Sequence, residues 1–546
     1  MRRLRLDEGW TLRAIPPALP YLRPQGGRLP AVPARVPGNV HLDLVEAGII
    51  ADPFLRRHEW GCQWVDEMDW EYTRIITWNG GSSRQVIRFE GIDTIADVFL
   101  NDQFLGHADN HFLPHEFDVT QLLRPGENNL SVRIASPVRT GMARREKWVA
   151  EHGLAPDTVF FDERSFVRKP AYASGWDWGP RLVGAGLFAP AWLLDFDERI
   201  TQFDVSVEPA GDRKFFVRVA GGASHYDLQL GPGATSERSQ EGWLVRCDPE
   251  AIWWPLGMGA QPLHRVVARL ERDGEIVDEQ VKTIGFRTLQ FLREADEIGE
   301  SFEFLVNGQR FLARGANWIP NDSFLSRVRD DDVAAQMATA ARLGMNMMRV
   351  WGGGQYETEA FYDACDRLGI LVWQDFPYAC SYYPDDENFM EVARQEAAHH
   401  VLRLRHRASL ALWCGNNENL IMWQTRWGSD QGTQPPRYLG QPIYDDVLPR
   451  VVGDLDPLRA YIASSPIGQG PDDPHVNVGR YGDSHYWEVW HGRGDWIHYR
   501  DSDTRFSSEF GFASAATPET YQTCLTTDER MDFPSAAFLS HDKTGK

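Results

Sequence analysis

From about residue 300 the hydrophobic pattern of this chain changes period, and short apolar runs begin to alternate with stretches spaced like helices. SFEFLVNGQRFLARG reads as a hairpin turning at Asn307-Gly308 and leading into a strand. DDDVAAQMATAARLG reads as a helix, with aspartates at its positive N-terminal end and Gly344 as its stop. MNMMRVW is a strand, ETEAFYDACDRLG a helix, ILVWQDF a strand, ENFMEVARQEAAHHVLRLRHR a long helix and SLALWCG a strand. Such alternation calls for a parallel sheet, because each helix carries the chain back to the start of the next strand. Counted from the hairpin, the strands are ARGANW, MMRVW, LVWQDF, ALWCGNNE, AYIASS, SHYWEVW and RFSSEFG. Polar and aromatic residues gather at their C-terminal ends: Asn317 and Trp318, Trp351, Asp375, Asn416 to Glu418, Trp487 and Glu509. In a (β/α)8 barrel that end is the catalytic face. Seven strands are legible, 37 residues follow Glu509, and no eighth strand stands out, so the chain reads as cut short inside its last domain.

The preceding residues lack helical spacing. RQVIRFEGI and ADVFLNDQFLG are short or alternating apolar runs, with Asn101-Asp102 as a turn, and PGENNLSVRI repeats the turn-then-strand pattern. Residues 1–195 therefore read as an all-β sandwich. In residues 196–292, KFFVRVAG, YDLQLG and HRVVARLERDG are short strands with glycine-rich breaks, a spacing that fits an immunoglobulin-like β-sandwich. The expected architecture is multidomain, with the TIM barrel occupying residues 293–546 and lacking its last strand and helix.

A net charge of −22 argues against a nucleic-acid groove, which needs a basic footprint. No stretch approaches the roughly 20 apolar residues of a membrane span, and MRRLRLDEGW has no apolar run after its basic residues. The six cysteines show no CxxC spacing and read as free thiols of a reducing compartment, the cytoplasm by default.

Glu418 in LALWCGNNEN and Glu509 in TRFSSEFGF occupy two separate, aromatic-rich strand ends. A carboxyl pair brought together by folding is what glycoside hydrolysis needs, one as general acid and one as nucleophile. Alone, Glu418 would pass for a surface residue at a strand-to-helix turn, and Glu509 for a buried carboxylate paired with an arginine such as Arg505. Their strand-end positions favour chemistry. A strand ending in Gly-Asn-Asn-Glu also sets the Asn417 amide beside the carboxyl, where it could donate to a sugar 2-hydroxyl. Gly175-Trp176-Asp177-Trp178-Gly179-Pro180 places a carboxylate between two aromatic plates, suited to sugar hydroxyls and a pyranose face; the plainer reading is a structural tryptophan corner. Other motifs carry less. Gly352-Gly353-Gly354 lacks the lysine of a phosphate loop and reads as a strand-exit turn. His399, His400 and His406 lie on a helix without HExxH order, so no metal is expected there. Asp385-Asp386-Glu387 reads as a loop or helix start.

Taken together, HEFDVT, GWDWGP, WWPLGMGAQPLH, RGANWIP, MMRVWGGGQYE, WQDF, WCGNNE, HYWEVW and SSEFGF resemble the family 2 glycoside hydrolases, in the β-mannosidase branch, and run in that family's order across nearly the whole chain. The resemblance implies a jelly-roll sugar-binding domain, an immunoglobulin-like domain and a catalytic barrel. It implies Glu418 as acid/base and Glu509 as nucleophile of a retaining exo-acting enzyme without cofactor or metal. It further implies that Asn417 binds the 2-hydroxyl, that Trp176, Asp177 and Trp178 reach into the barrel mouth, and that Trp351, Asp375 and Trp487 serve substrate binding. The expected partner is a small oligosaccharide or β-mannoside, with no nucleic acid and no membrane. The alternatives are another family 2 exo-glycosidase (β-galactosidase, β-glucuronidase or exo-glucosaminidase) or a non-catalytic sugar-binding fragment.

Overall fold

Strands at the N-terminus alternate buried and exposed residues, as in Trp10–Ile15, so each sheet has one apolar face to cover. In this computed structural model, which describes residues 1–15, 29–471, 475–512 and 514–544, two antiparallel sheets cover one another. One has six strands in the order Val32–Ala34, Trp10–Ile15, Asp69–Trp78, Gly126–Ile134, Ile95–Leu100, Gln103–Asp109. The other has four: Arg2–Arg5, Ala191–Phe196, Arg84–Phe89, His115–Asp118. Trp10, Tyr72, Val98 and Leu130 meet Ile87, Phe89, Phe117 and Leu193 in the core between them. Asn101 and Asp102, at φ 52° and 64°, form the expected hairpin turn.

The expectation of an all-β first segment needs correction, since it holds a short helix, Val40–Glu46, and a longer one, Pro137–His152. The signals of the longer one were local: Ser136 accepts from the Arg139 N–H, proline opens the first turn, and Gly153 ends it in the left-handed region. Trp148 and Val149 of this helix bury themselves with Phe161 and Phe166 in the core that holds the barrel helices. The Trp148 indole also donates to Asp386 Oδ2 at 2.9 Å. The helix thus fastens the sandwich to the side of the barrel.

A four-stranded and a three-stranded antiparallel sheet follow, the seven strands of an immunoglobulin-like sandwich around Val205, Val217, Val245, Val266 and Phe286. A short antiparallel sheet, Leu289–Leu292, Glu303–Val306 and Gln309–Phe311, then packs Phe302, Phe304 and Phe311 against Met347 and Leu371, the first residues of two barrel strands.

The strands read from the sequence are all present. Gly315–Trp318, Met347–Val350, Leu371–Asp375, Leu410–Cys414 and Ala460–Ile462 form one parallel sheet, and Asp483–Tyr486 pairs in parallel with Phe506–Phe510. We number these seven as barrel strands one to seven. The two groups are joined through Asp483, whose carbonyl accepts from the Gly468 N–H at 3.1 Å. Between strands one and seven, Asn317 Nδ2 donates to the Ser508 carbonyl at 3.1 Å. Helices Pro518–Cys524, Thr527–Met531 and Ala536–His541 follow strand seven. They lie against the first sandwich, where the Arg56 N–H donates to the Cys524 carbonyl at 2.8 Å. Among the described residues no helix is long and apolar enough to cross a membrane.

Candidate active site

A cavity of about 1330 Å³ runs along the barrel interior, from Gly315, Met347 and Phe506 at strand starts to Trp351, Asn417 and Glu509 at the C-terminal ends. Glu418 and Glu509 both line it, 91 residues apart in sequence. Glu509 lies within strand seven. Glu418 follows strand four in a left-handed conformation (φ 63°), which for a non-glycine residue costs on the order of 1–2 kcal/mol. The neighbours hold it there: its N–H donates to the Ser465 carbonyl at 2.8 Å, and its own carbonyl receives Met422 N–H of the next helix. Strain of this kind aims a side chain that an ordinary strand-to-helix turn would leave elsewhere.

An oxygen of each carboxyl and Nδ1 of His485 lie within 4.8 Å of one another. His485 Nδ1 is 2.7 Å from Glu418 Oε1 and 3.2 Å from Glu509 Oε2. Strand pairing places it there, since His485 and Glu509 are partners in the ladder between strands six and seven. Such closeness would also suit a divalent cation. Nδ1, however, is already hydrogen-bonded to Glu418 Oε1 and ion-paired with Glu509 Oε2, and a proton accounts for the space.

Arg349, on strand two, holds the Glu509 side. Its guanidinium donates to Glu509 Oε1 at 2.5 Å, to Asp375 Oδ2 at 2.8 Å and to Asn417 Oδ1 at 2.8 Å. Trp487 Nε1 donates to Glu509 Oε2 at 3.2 Å. On the other side, the Cys380 thiol donates to Glu418 Oε2 at 3.2 Å. These bonds set the charges. Burial raises the Glu509 carboxyl, His485 and Arg349 oppose it, Glu418 adds to it, and the balance lies above the usual carboxylate range. Burial lifts Glu418 too, but the shorter bond from His485 outweighs it and holds this carboxyl low. His485 is raised: burial alone would lower it, and the two carboxylates overcome that.

The first sandwich closes the mouth. Ser174–Trp176 and Gly179–Arg181 form a hairpin with Asp177 and Trp178 at its tip. Trp176 and Trp178 meet the Trp351 indole edge to face, with ring centroids 4.8 Å and 5.8 Å away. Trp351 in turn lies over Gly353, where a Cβ would run into its ring; this close approach is why the glycine turn after strand two exists. The Tyr172 N–H donates to the Gly353 carbonyl at 3.0 Å, fixing hairpin to barrel. Across the mouth, Asp177 Oδ2 pairs with His491 Nε2 at 3.2 Å.

Of the residues expected from the sequence, Trp176, Asp177, Trp178, Trp351, Asn417, Glu418, Trp487 and Glu509 share this cavity. Asp375 stands behind its wall, bound to Arg349, to the Trp373 indole at 2.8 Å and to the Gly352 N–H at 3.0 Å. Sequence reasoning missed Arg349, Cys380, His485 and His491. Arg349 had a signal: an arginine inside the fully buried strand MMRV requires an anionic partner.

Comparison with known proteins agrees with this architecture. Residues 10–189 match the "Glycosyl hydrolase 2 galactose-binding domain-like" model and residues 203–287 the "Glycosyl hydrolases family 2" model. The chain is 34% identical to β-mannosidase B of Thermothelomyces thermophilus and 33% identical to β-mannosidase B of Emericella nidulans, with 98% of the chain aligned in each case. It spans 65% and 66% of the lengths of those two relatives. The crystal structure of a β-D-mannosidase from Dictyoglomus thermophilum superposes with a TM-score of 0.86 at 35% identity, over all of this chain and 67% of that one.

Proposed function

This chain belongs to family 2 of the glycosyl hydrolases, and from that premise we propose that it is a retaining exo-β-mannosidase, with Glu418 as acid/base and Glu509 as nucleophile. The observation that carries the reading is the separation of the two carboxyls, with oxygens within 4.8 Å. Retaining enzymes hold the pair about 5–5.5 Å apart, and inverting ones about 6.5–9.5 Å, to admit a water.

Glu509 attacks the anomeric carbon while Glu418 protonates the departing oxygen. Glu418 then takes a proton from the water that releases the sugar from Glu509. Arg349 keeps Glu509 oriented and opposes the lift of burial. Asn417, steered by the same guanidinium, gives one amide hydrogen to Cys380 Sγ at 3.4 Å and has the other for the 2-hydroxyl. The Trp176–Trp178 hairpin on Trp351 supports end-on binding of a terminal sugar, because it walls the cavity where a longer chain would have to pass. No cofactor is part of this reaction. All six cysteines are free thiols, which supports the cytoplasm as the compartment.

Turnover of 4-nitrophenyl β-D-mannoside against the matching galactoside, glucuronide and glucosaminide tests the assignment. Preference for any of the last three overturns the mannoside reading, and turnover of none by a folded chain overturns the enzyme reading.

A further inference from the structure

The roles assigned to Glu418 and Glu509 meet a difficulty. The general acid must carry a proton, yet Glu418 is the carboxyl that His485 holds low. The hydrogen bonds around His485 locate the missing proton. Ser465 Oγ donates to Asp483 Oδ2 at 2.7 Å, and Asp483 also receives Ser508 Oγ at 2.7 Å and the Ile467 N–H at 2.9 Å. With its own hydrogen committed to that buried carboxylate, Ser465 Oγ can only accept from His485 Nε2, 3.0 Å away. Nε2 is thereby assigned a hydrogen. Nδ1 faces two carboxyl oxygens at 2.7 Å and 3.2 Å, so a hydrogen must lie on that side as well, either on the ring or on the nearer oxygen of Glu418.

We propose that His485 stores the general-acid proton of the resting site and passes it to Glu418 when a sugar fills the cavity, an inference that rests on the roles given above. In the transfer Nδ1–H breaks, its electron pair stays on nitrogen, and Glu418 Oε1 gains the proton. A neutral imidazole remains, still bonded through Nε2–H to Ser465. Glu418 gives the proton to the glycosidic oxygen, which takes the electrons of the breaking bond to the anomeric carbon, while a Glu509 oxygen bonds that carbon. In the second half Glu418 takes a proton from water as the water oxygen displaces Glu509, and the proton returns to Nδ1. Entry of a sugar drives the first transfer because it expels water. Three charges in a row, imidazolium between two carboxylates, lose more solvation than a neutral imidazole, a neutral acid and one carboxylate held by Arg349. The charged and titratable groups facing His485 are Glu418 from strand four, Glu509 from strand seven and Arg349 from strand two, with Asp483 acting through Ser465 and the Cys380 thiol behind Glu418. His485 is a positioning residue here, since it touches Glu418 and no sugar atom is required of it.

Nitrogen-15 NMR of histidine-labelled full chain tests the storage directly. In the free protein both His485 nitrogens should remain protonated well above pH ~6.5, the ordinary histidine midpoint. His485→Gln identifies the signal, and Glu418→Gln should move its titration down. Kinetically, His485→Gln should lower kcat/KM by roughly 10²-fold or more for a methyl β-mannoside, the scale of general-acid assistance. The fall should be far smaller for the 2,4-dinitrophenyl β-mannoside, whose leaving group needs no proton. The alkaline limb of the methyl-mannoside profile should also move to lower pH. A neutral His485 in the free protein at pH ~6.5 overturns the inference. So does an equal loss for both substrates with the limb unmoved, which is what a merely structural histidine would give. Should the wild-type chain turn over no β-mannoside, the function proposed above fails, while the NMR titration still decides where the proton resides.

Discussion

The guanidinium of Arg349 reaches from barrel strand two to the Glu509 carboxylate on strand seven, 2.5 Å from Nη1 to Oε1, and grips Asp375 with its other arm. All three groups are buried, so each depends on the others for its charge. Removing one partner of a buried charge set costs about 3–5 kcal/mol, because the remaining charges are left without solvent or counter-ion. Arg349→Ala should therefore lower the melting temperature and abolish turnover together. Arg349→Lys should retain more of the fold yet lose roughly 10²-fold or more in kcat, because one ammonium cannot serve Glu509, Asp375 and Asn417 in a fixed fork. Thermal melting and aryl β-mannoside turnover of the two variants decide this. A lysine variant within twofold of wild type would show that Arg349 supplies charge alone.

The carboxyl pair separates by chemistry. Glu509→Ala should remove turnover of every β-mannoside, and azide should restore a product of inverted configuration. Glu418→Ala should keep the first step for a dinitrophenyl leaving group and lose about 10²–10⁴-fold for poor ones. Azide should accelerate its second step and give a product of retained configuration. Product stereochemistry by proton NMR reads both. Identical azide products from the two variants would reverse or void the assignment.

Asp177 and His491 bridge the mouth from two different domains. Burial raises the Asp177 carboxyl, His491 opposes it, and Glu418 adds to it. A carboxyl raised in the folded state favours folding below its unfolded midpoint, and that contribution disappears as pH climbs through the folded value. Asp177 therefore makes the protein relatively less stable at neutral pH than in mild acid. Asp177→Asn should flatten the fall in melting temperature between pH ~4, near the unfolded carboxylate midpoint, and pH ~7. It should also weaken binding of the terminal sugar, seen as a rise in KM. An unchanged pH dependence would mean that this carboxylate is fully solvated.

Much of this site was legible in the sequence, because barrel strands present their functional residues at a fixed end. Glu418, Trp487 and Glu509 could be placed by counting strands, and Trp176 to Trp178 by their enclosure between Gly175 and Gly179. The misses share a cause. His485 follows directly on the buried strand residues Asp483 and Ser484, and only the pairing of strands six and seven turns it toward Glu509. Cys380 reads as one more free thiol until the loop after strand three brings it to Glu418. Asp375 does sit at a strand end, as expected, but its carboxylate serves Arg349 from behind, a direction that spacing along the strand does not encode. The helix Pro137–His152 was hidden by weak amphipathicity, while its Ser-Pro start and glycine end were in plain view.

The space between Glu418, His485 and Glu509 carries the last prediction. If a proton occupies it, dialysis against EDTA should leave the rate on an aryl β-mannoside unchanged within error, and added Mg²⁺ or Ca²⁺ should do nothing. Zinc, with its preference for imidazole and carboxylate, is the sterner probe. To enter, it would have to displace the Nδ1 hydrogen, so any inhibition should weaken as pH falls and the proton competes. Metal-free enzyme that loses its rate and regains it with a divalent ion would place a cation where the hydrogen bonds place a proton, and would remove the basis for His485 as a proton store.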